Sequence, residues 1–261
     1  LAHYALNGVK VYYACATRGE AGEIGPMGLR SFSSVGDMRW AELKNAANAL
    51  GLTDIFYLGY RDSGMAGSDH NKHPEALVNA PLEQVAARIV KIIRNIRPHV
   101  IITSDPIGGY RHPDHIAIHK ATVKAFHAAG DAQQYIEAGP AFQPMKLYFT
   151  VRSHKLFKFI IKLMPLLGID PTKQGKNKDI DMTKLVDTDF PVHAVIKINK
   201  QAARLRELAR SCHISQLGMG GRRRITMFTL LNLFRRNRDT FMRAYPEKKN
   251  PKREHDLFEG I

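Results

Sequence analysis

Residues 99–115 read His99-Val100-Ile101-Ile102-Thr103-Ser104-Asp105-Pro106-Ile107-Gly108-Gly109-Tyr110-Arg111-His112-Pro113-Asp114-His115, and this stretch decides the fold. Residues 99–104 are nearly all apolar or β-branched, as expected of a strand buried on both faces. Two glycines then let the chain turn tightly. His112 occupies an N-cap position, Pro113 suits the first position of a helix, and the helical pattern runs on to residue 129. His112 and His115 are three residues apart, so they share one face of the first turn. A buried strand that passes through a glycine turn into a helix is the building unit of a parallel α/β sheet.

The same alternation extends upstream. Residues 9–16 (VKVYYACA) and 54–58 (DIFYL) read as strands. Residues 35–50 read as a helix with Met38, Ala41, Leu43, Ala46, Ala47 and Leu50 on one face and Gly51 as its stop. Residues 81–97 read as a second helix, with Val85, Ile89, Ile92, Ile93 and Ile96 inward, halted by Pro98. The expected fold is a Rossmann-like parallel sheet flanked by helices, its strands buried on both faces. Ligands of such sheets sit at the carboxyl ends of the strands, here the loops after Ala16, Leu58 and Ser104. Downstream the pattern loosens. Residues 145–151 and 192–198 read as strands, and 155–167 and 200–212 as helices. Residues 222–238 alternate a basic cluster with an apolar run. The expected organisation is a core over 1–150, with 151–261 as a C-terminal extension of the same domain completing the pocket.

Composition bounds the function. In 261 residues, 44% hydrophobic and 24% charged residues mark a globular chain. Two cysteines, Cys15 and Cys212, exclude a disulfide scaffold and a cysteine-only zinc module. The longest apolar stretch, residues 156–167, is interrupted by Lys158 and Lys162 and is too short to span a bilayer. The net charge is +15, and residues 151–261 carry most of it. A basic half fits nucleic acid, an anionic membrane or an acidic partner, and in its simplest form is a solvated surface. Its phenylalanines lie among Leu, Ile and Met and read as core rather than as a base-stacking platform. Residues 1–8 read as the last turns of a helix stopped by Gly8, and the first residue is Leu1, so the natural N-terminus is expected to lie further upstream.

Two histidines and an aspartate crowded at a strand-to-helix junction suit a metal or an acid–base site. Zinc takes imidazole nitrogen and carboxylate oxygen, and a catalytic site keeps one position for water. A second histidine can supply a proton or stabilise an oxyanion, and Tyr110 can donate to the same oxygen. A His-x-x-His pair alone is also the start of many ordinary helices, and this segment cannot supply three ligands by itself. Arg18 reads equally as a loop arginine and Asp62 as a turn residue. His70 and His73 read as exposed, His119 and His127 as structural, and Cys15 as core. The arginines at 222–224 and 235–236 read as a solvated face.

GGYRHPDHIAIHKA (residues 108–121) resembles the second signature of the PIG-L/LmbE-like zinc-dependent de-N-acetylases, the family of N-acetylglucosaminyl-phosphatidylinositol and mycothiol-type deacetylases. Residues 17–22 (TRGEAG), 58–65 (LGYRDSGM) and 212–216 (CHISQ) resemble further elements of that family. The resemblance implies an amidohydrolase that removes an N-acetyl group from an amino-sugar substrate, with zinc or another divalent metal. It implies His115 as a metal ligand, His112 as general acid or oxyanion stabiliser, Asp114 as the group that orients His112, and Tyr110 as a polariser of the acyl oxygen. Arg18 and Asp62 would hold the sugar, and His213 and Gln216 would lie nearby. The family's first signature, an A-H-P-D-D-E-like run that supplies the remaining ligands and the base, does not occur in the sequence. The chain is therefore expected to lack the first strand of the sheet, to bind zinc poorly and to hydrolyse little. The expected partner is a small amino-sugar conjugate with no specific nucleic acid, a membrane surface being reachable through the basic half, and the expected location is cytoplasmic. Two other readings stand beside this one: a non-catalytic sugar- or nucleotide-binding member of the fold, and a basic binder of nucleic acid or membrane surfaces.

Overall fold

The computed structural model describes residues 1–261 except 25–27, 30, 152–154, 174–180, 184–187 and 217–236. The chain forms two compact units, Leu1–Pro81 with Lys197–Asp239, and Leu82–Ile196 with Thr240–Ile261.

The first unit contains α1 (Ala2–Leu6), β1 (Tyr12–Cys15), α2 (Val35–Leu50), β2 (Asp54–Tyr57) and α7 (Lys200–Cys212). Local signals set its helix ends. The Ser34 hydroxyl accepts from Asp37 N–H at 3.1 Å to cap α2, and Gly51, at φ 73°, ends it. The Asn199 side chain caps α7 by accepting from Ala202 N–H at 2.7 Å. Gly8 adopts φ 79° after α1, the left-handed stop expected of it. Strands β1 and β2 pair in parallel, Tyr12 opposite Asp54 and Cys15 opposite Tyr57. Helix α7 packs on α2 and α1, and Ile198 and Ala202 join Ala2 in a small core flanked by Leu50 and Leu205.

Two expectations need correction in this unit. Neither strand is buried on both faces, because a two-stranded sheet covers them far less than a wide sheet covers its central strands, and Tyr13 and Tyr57 stay substantially exposed. The inner face of α2 includes Glu42, which the apolar pattern passed over. Its carboxylate accepts from Ser215 N–H at 2.7 Å and from the Ser215 hydroxyl at 2.6 Å, so both buried groups are satisfied.

The second unit contains α3 (Leu82–Ile96), β3 (Val100–Ser104), α4 (Gly108–Arg111), α5 (Pro113–Ala128), β4 (Lys146–Thr150), α6 (Lys155–Leu163), β5 (Ala194–Lys197) and most of β6 (Arg238–Tyr245). Its sheet has the order β3-β4-β6-β5. Strand β3 is parallel to β4, with Val100 opposite Lys146, whereas β4 and β6 run antiparallel. The α/β class holds. The single parallel sheet does not: among the described residues there are two sheets, and the larger is mixed, since a strand returning after a long excursion can pair antiparallel without a crossover helix. Phe126, Leu147, Phe149 and Val151 form the core where α5 meets this sheet. The helix expected over 155–167 is α6 followed by a 3₁₀ turn, Pro165–Leu167, because Pro165 cannot continue the hydrogen-bond ladder. The alternation expected over 222–238 lies almost wholly outside the described residues. No helix among the described residues is long and apolar enough to cross a membrane.

Candidate active site

The stretch that decided the fold also builds the site. After β3, the Asp105 carboxylate accepts from Gly109 N–H at 2.8 Å and fixes the turn. Gly108 and Gly109 take φ 67° and 70°, conformations that a side chain would strain. A Cβ on Gly108 would also meet the His115 Cβ at 3.0 Å and the backbone nitrogen of Ile116 at 3.0 Å. Arg111 follows at φ 64°, uncommon for a residue with a side chain, so local strain collects just before His112.

Helix α5 starts as expected, with His112 at the N-cap and Pro113 in the first turn. The rings of His112 and His115 lie 5.0 Å apart, and Tyr110 packs edge-on against both, at 5.7 and 5.2 Å. A ring nitrogen of His112 and a carboxylate oxygen of Asp114 come within 4.8 Å of each other. Asp114 is buried and Tyr110 is substantially exposed.

Hydrogen bonds distinguish the two histidines. The partner of His115 Nδ1 is the Gly108 carbonyl at 3.2 Å, and a carbonyl only accepts, so Nδ1 carries the proton. The neutral ring therefore keeps its lone pair on Nε2, the arrangement by which metal-binding histidines are oriented. At His112 the pattern reverses. Its Nδ1 accepts from Asp114 N–H at 3.2 Å, so the neutral ring carries its proton on Nε2 as a donor. One turn further, His119 is buried, donates from Nδ1 to the Ser104 carbonyl at 2.7 Å and packs edge-on against Phe149. That is the structural role expected of it.

In the first unit, the loops after β1 and β2 meet at Glu20. Its Oε2 accepts from Arg18 N–H at 3.2 Å and from Asp62 N–H at 3.0 Å, and its Oε1 pairs with Arg18 Nε at 3.4 Å. Arg18 also pairs with Asp37 at 2.9 Å and stacks over the Tyr57 ring. The hydrogen bond from the Ser34 hydroxyl, helped by the charge of Arg18, holds the Asp37 carboxyl below the usual range against the opposing effect of desolvation. Asp62 is buried and accepts from Gly64 N–H at 2.9 Å. Arg39 donates to the carbonyls of Gly19 at 2.8 Å and Glu23 at 3.1 Å, tying the first of these loops to α2. Sequence reasoning passed over Glu20 and Arg39. The Glu inside the quoted TRGE stretch was the only signal for the former. His213 is approached by the Gln216 amide at 3.5 Å. Burial pushes the Cys15 thiol up and its Sγ donates to the Thr17 carbonyl, so it is no nucleophile.

A strand–turn–helix junction that presents one ligand-ready imidazole, one imidazole N–H donor and a phenol is equipment for polarising and hydrolysing an acyl group. The sequence profile of the PIG-L family, described as GlcNAc-PI de-N-acetylase, matches residues 1–126. The chain is 34% identical over 279 residues to the 1D-myo-inositol 2-acetamido-2-deoxy-alpha-D-glucopyranoside deacetylase of Acidothermus cellulolyticus, covering 100% of this chain and 88% of that protein. It is 36% identical over 216 residues to the deacetylase of the same name from Rhodococcus jostii, covering 77% of this chain and 72% of the relative. Conserved protein TT1542 from Thermus thermophilus shares the fold, with a TM-score of 0.55 at 21% identity over 96% of this chain and 88% of that one. The chain is an enzyme of the N-deacetylase class, a hydrolase of carbon–nitrogen bonds other than peptide bonds. It belongs to the PIG-L, or GlcNAc-PI de-N-acetylase, family.

Proposed function

We propose that this enzyme removes the acetyl group from the amine of an N-acetylglucosamine unit carried on a small conjugate, with zinc held in part by His115. The observation that carries the reading is the His115 Nδ1 bond to the Gly108 carbonyl, which leaves Nε2 as a ligand atom. The names of the two relatives support the sugar and the acetyl group.

Bound zinc would supply Lewis-acid polarisation of the acyl oxygen and a water nucleophile at neutral pH. The chain's own residues do the rest. His112 donates from Nε2 to the oxygen on which negative charge develops, and the Tyr110 hydroxyl adds a second donor. Protonation of the leaving amine by His112 would require the imidazolium, whose Nδ1–H could no longer accept the bond from Asp114 N–H. The cap therefore favours the oxyanion role over the acid role. Asp114 orients His112, and Arg18 and Asp62 hold the sugar, with Glu20 fixing the loops that carry them.

The resemblance assigns the remaining ligands and the base to an A-H-P-D-D-E-like run, which the 261 residues do not contain. The test is acetate release by the zinc-loaded protein from an N-acetylglucosaminyl inositol and from N-acetyl-lysine. Release from the sugar alone is expected. Zinc-loaded protein that releases acetate from neither would overturn the reading in favour of a non-catalytic binder.

A further inference from the structure

The loop between β2 and α3 carries Asp62 and has little regular structure of its own. It holds the 3₁₀ turns Asp69–Lys72 and Leu77–Asn79 and a bridge between Arg61 and Ala76. At that bridge Arg61 N–H donates to the Glu75 carbonyl and Leu77 N–H to the Arg61 carbonyl, both at 3.0 Å. The Ser63 hydroxyl is fully buried and accepts from Val78 N–H at 3.0 Å. A long loop without a ladder needs side chains to satisfy its backbone groups.

Asn71 does so for the turn that follows Asp62. Its amide nitrogen donates to the Ser63 carbonyl and, at 3.2 Å, to the Met65 carbonyl, while its oxygen accepts from Gly67 N–H at 3.0 Å. All three bonds reach residues 63–67. Asn79 steadies Asn71 in turn, donating to the backbone carbonyls of Asn71 at 2.7 Å and His73 at 2.9 Å. The turn is closely packed: Gly64 has φ 66°, and a Cβ there would meet the Ser68 hydroxyl at 2.9 Å and the His70 Cβ at 3.4 Å.

Asp62 is tied to the same turn. Its N–H donates to Glu20 at 3.0 Å, and its Oδ1 accepts from Gly64 N–H at 2.9 Å. Gly64 lies between the two residues whose carbonyls Asn71 holds, so the orientation of the Asp62 carboxylate depends on Asn71. A carboxylate fixed in advance accepts a sugar hydroxyl without losing rotamer freedom on binding. Resting on the reading of Asp62 as a sugar ligand, we propose that Asn71 is a positioning residue for the substrate. It closes the 63–67 turn and thereby aims Asp62 at a sugar hydroxyl.

The test is a double-mutant cycle of wild type, Asn71→Ala, Asp62→Ala and the double variant. Affinity for an N-acetylglucosaminyl inositol is read as Kd by calorimetry on zinc-free protein and as KM on zinc-loaded protein. Asn71→Ala should raise both about tenfold and change kcat by less than about twofold. In the Asp62→Ala background the same change should cost less than about twofold, because it acts through the missing carboxylate. Equal losses in the two backgrounds would overturn the proposal and leave Asn71 a merely structural residue, as would wild-type affinity in a folded Asn71→Ala protein. If Asn71→Ala does not fold, Asn71→Asp, which keeps the acceptor for Gly67 N–H, takes its place in the cycle with the same expectation. Wild type that neither binds nor deacetylates the sugar would overturn the proposed function and this inference together, whereas additive losses alone leave that function standing.

Discussion

At the scale of single residues, the separation of roles proposed for His112 and His115 rests on two backbone groups. The Gly108 carbonyl takes the proton of one Nδ1, and the Asp114 N–H occupies the lone pair of the other. Neither bond follows from the His-x-x-His spacing, which showed only that the two rings share a face. A second residue-scale device is Arg94. Its guanidinium is buried and donates to the carbonyls of Ala128, Ala129, Asp131, Gln134, Tyr135 and Gly139, which fastens the segment after α5 to α3. No carboxylate is among these acceptors; the charge is solvated by peptide dipoles instead. Arg94→Met should lower the unfolding free energy by about 3 kcal/mol, since it strands several buried carbonyls. Urea denaturation checks this, and a loss below about 0.5 kcal/mol would show that water satisfies those carbonyls. In the sequence Arg94 looked like one charge beside an isoleucine stripe, because its acceptors lie 34 to 45 residues further along the chain. Glu42 was hidden for the same reason, its partner being Ser215.

At the scale of elements, what was legible is what local chemistry determines. Helices α2 and α7 start and end where the sequence placed them, because Ser34, Gly51 and Asn199 are cap residues that act within three or four positions. The turn between β3 and α5 was legible as well, from its glycine pair, His112 and Pro113. The pairing of strands was not, since pairing joins residues far apart in sequence and no local pattern records which edges meet. The turn itself yields an element-scale prediction. Gly108→Ala places a Cβ against the His115 side chain and the Ile116 backbone at a positive φ. It should cost about 2 kcal/mol of stability and displace His115, with a loss of turnover larger than the loss of fold explains. Wild-type turnover in a destabilised but folded Gly108→Ala protein would uncouple the turn from the chemistry.

At the scale of the whole molecule, the C-terminal residues are bound into the second unit by a buried polar network. Lys146 Nζ donates to Glu254 at 3.2 Å, to Tyr148 Oη and to the carbonyls of Leu257 and Glu259, while Arg243 reaches the same carboxylate at 2.7 Å. Burial alone would push the Glu254 carboxyl up, but the hydrogen bonds from Tyr148 and Lys146 and the two cationic charges prevail and hold it below the ordinary range. A depressed carboxyl contributes stability that is complete above its unfolded value, about 4.3, and is lost as pH falls through the lower folded value. Acid should therefore loosen this network only below that point. Glu254→Gln should cost about 3 kcal/mol near neutrality and flatten the acid limb of the stability curve, measured by denaturation across pH. An unchanged acid limb would show that other carboxylates govern it.

The proposed division of labour between the two imidazoles is read out by zinc titration of wild type beside His112→Gln and His115→Ala, with turnover assayed on the same samples. The account expects His112→Gln to keep its zinc while losing turnover, and His115→Ala to lose both. Zinc retained at wild-type affinity by His115→Ala, or lost from His112→Gln, would contradict it.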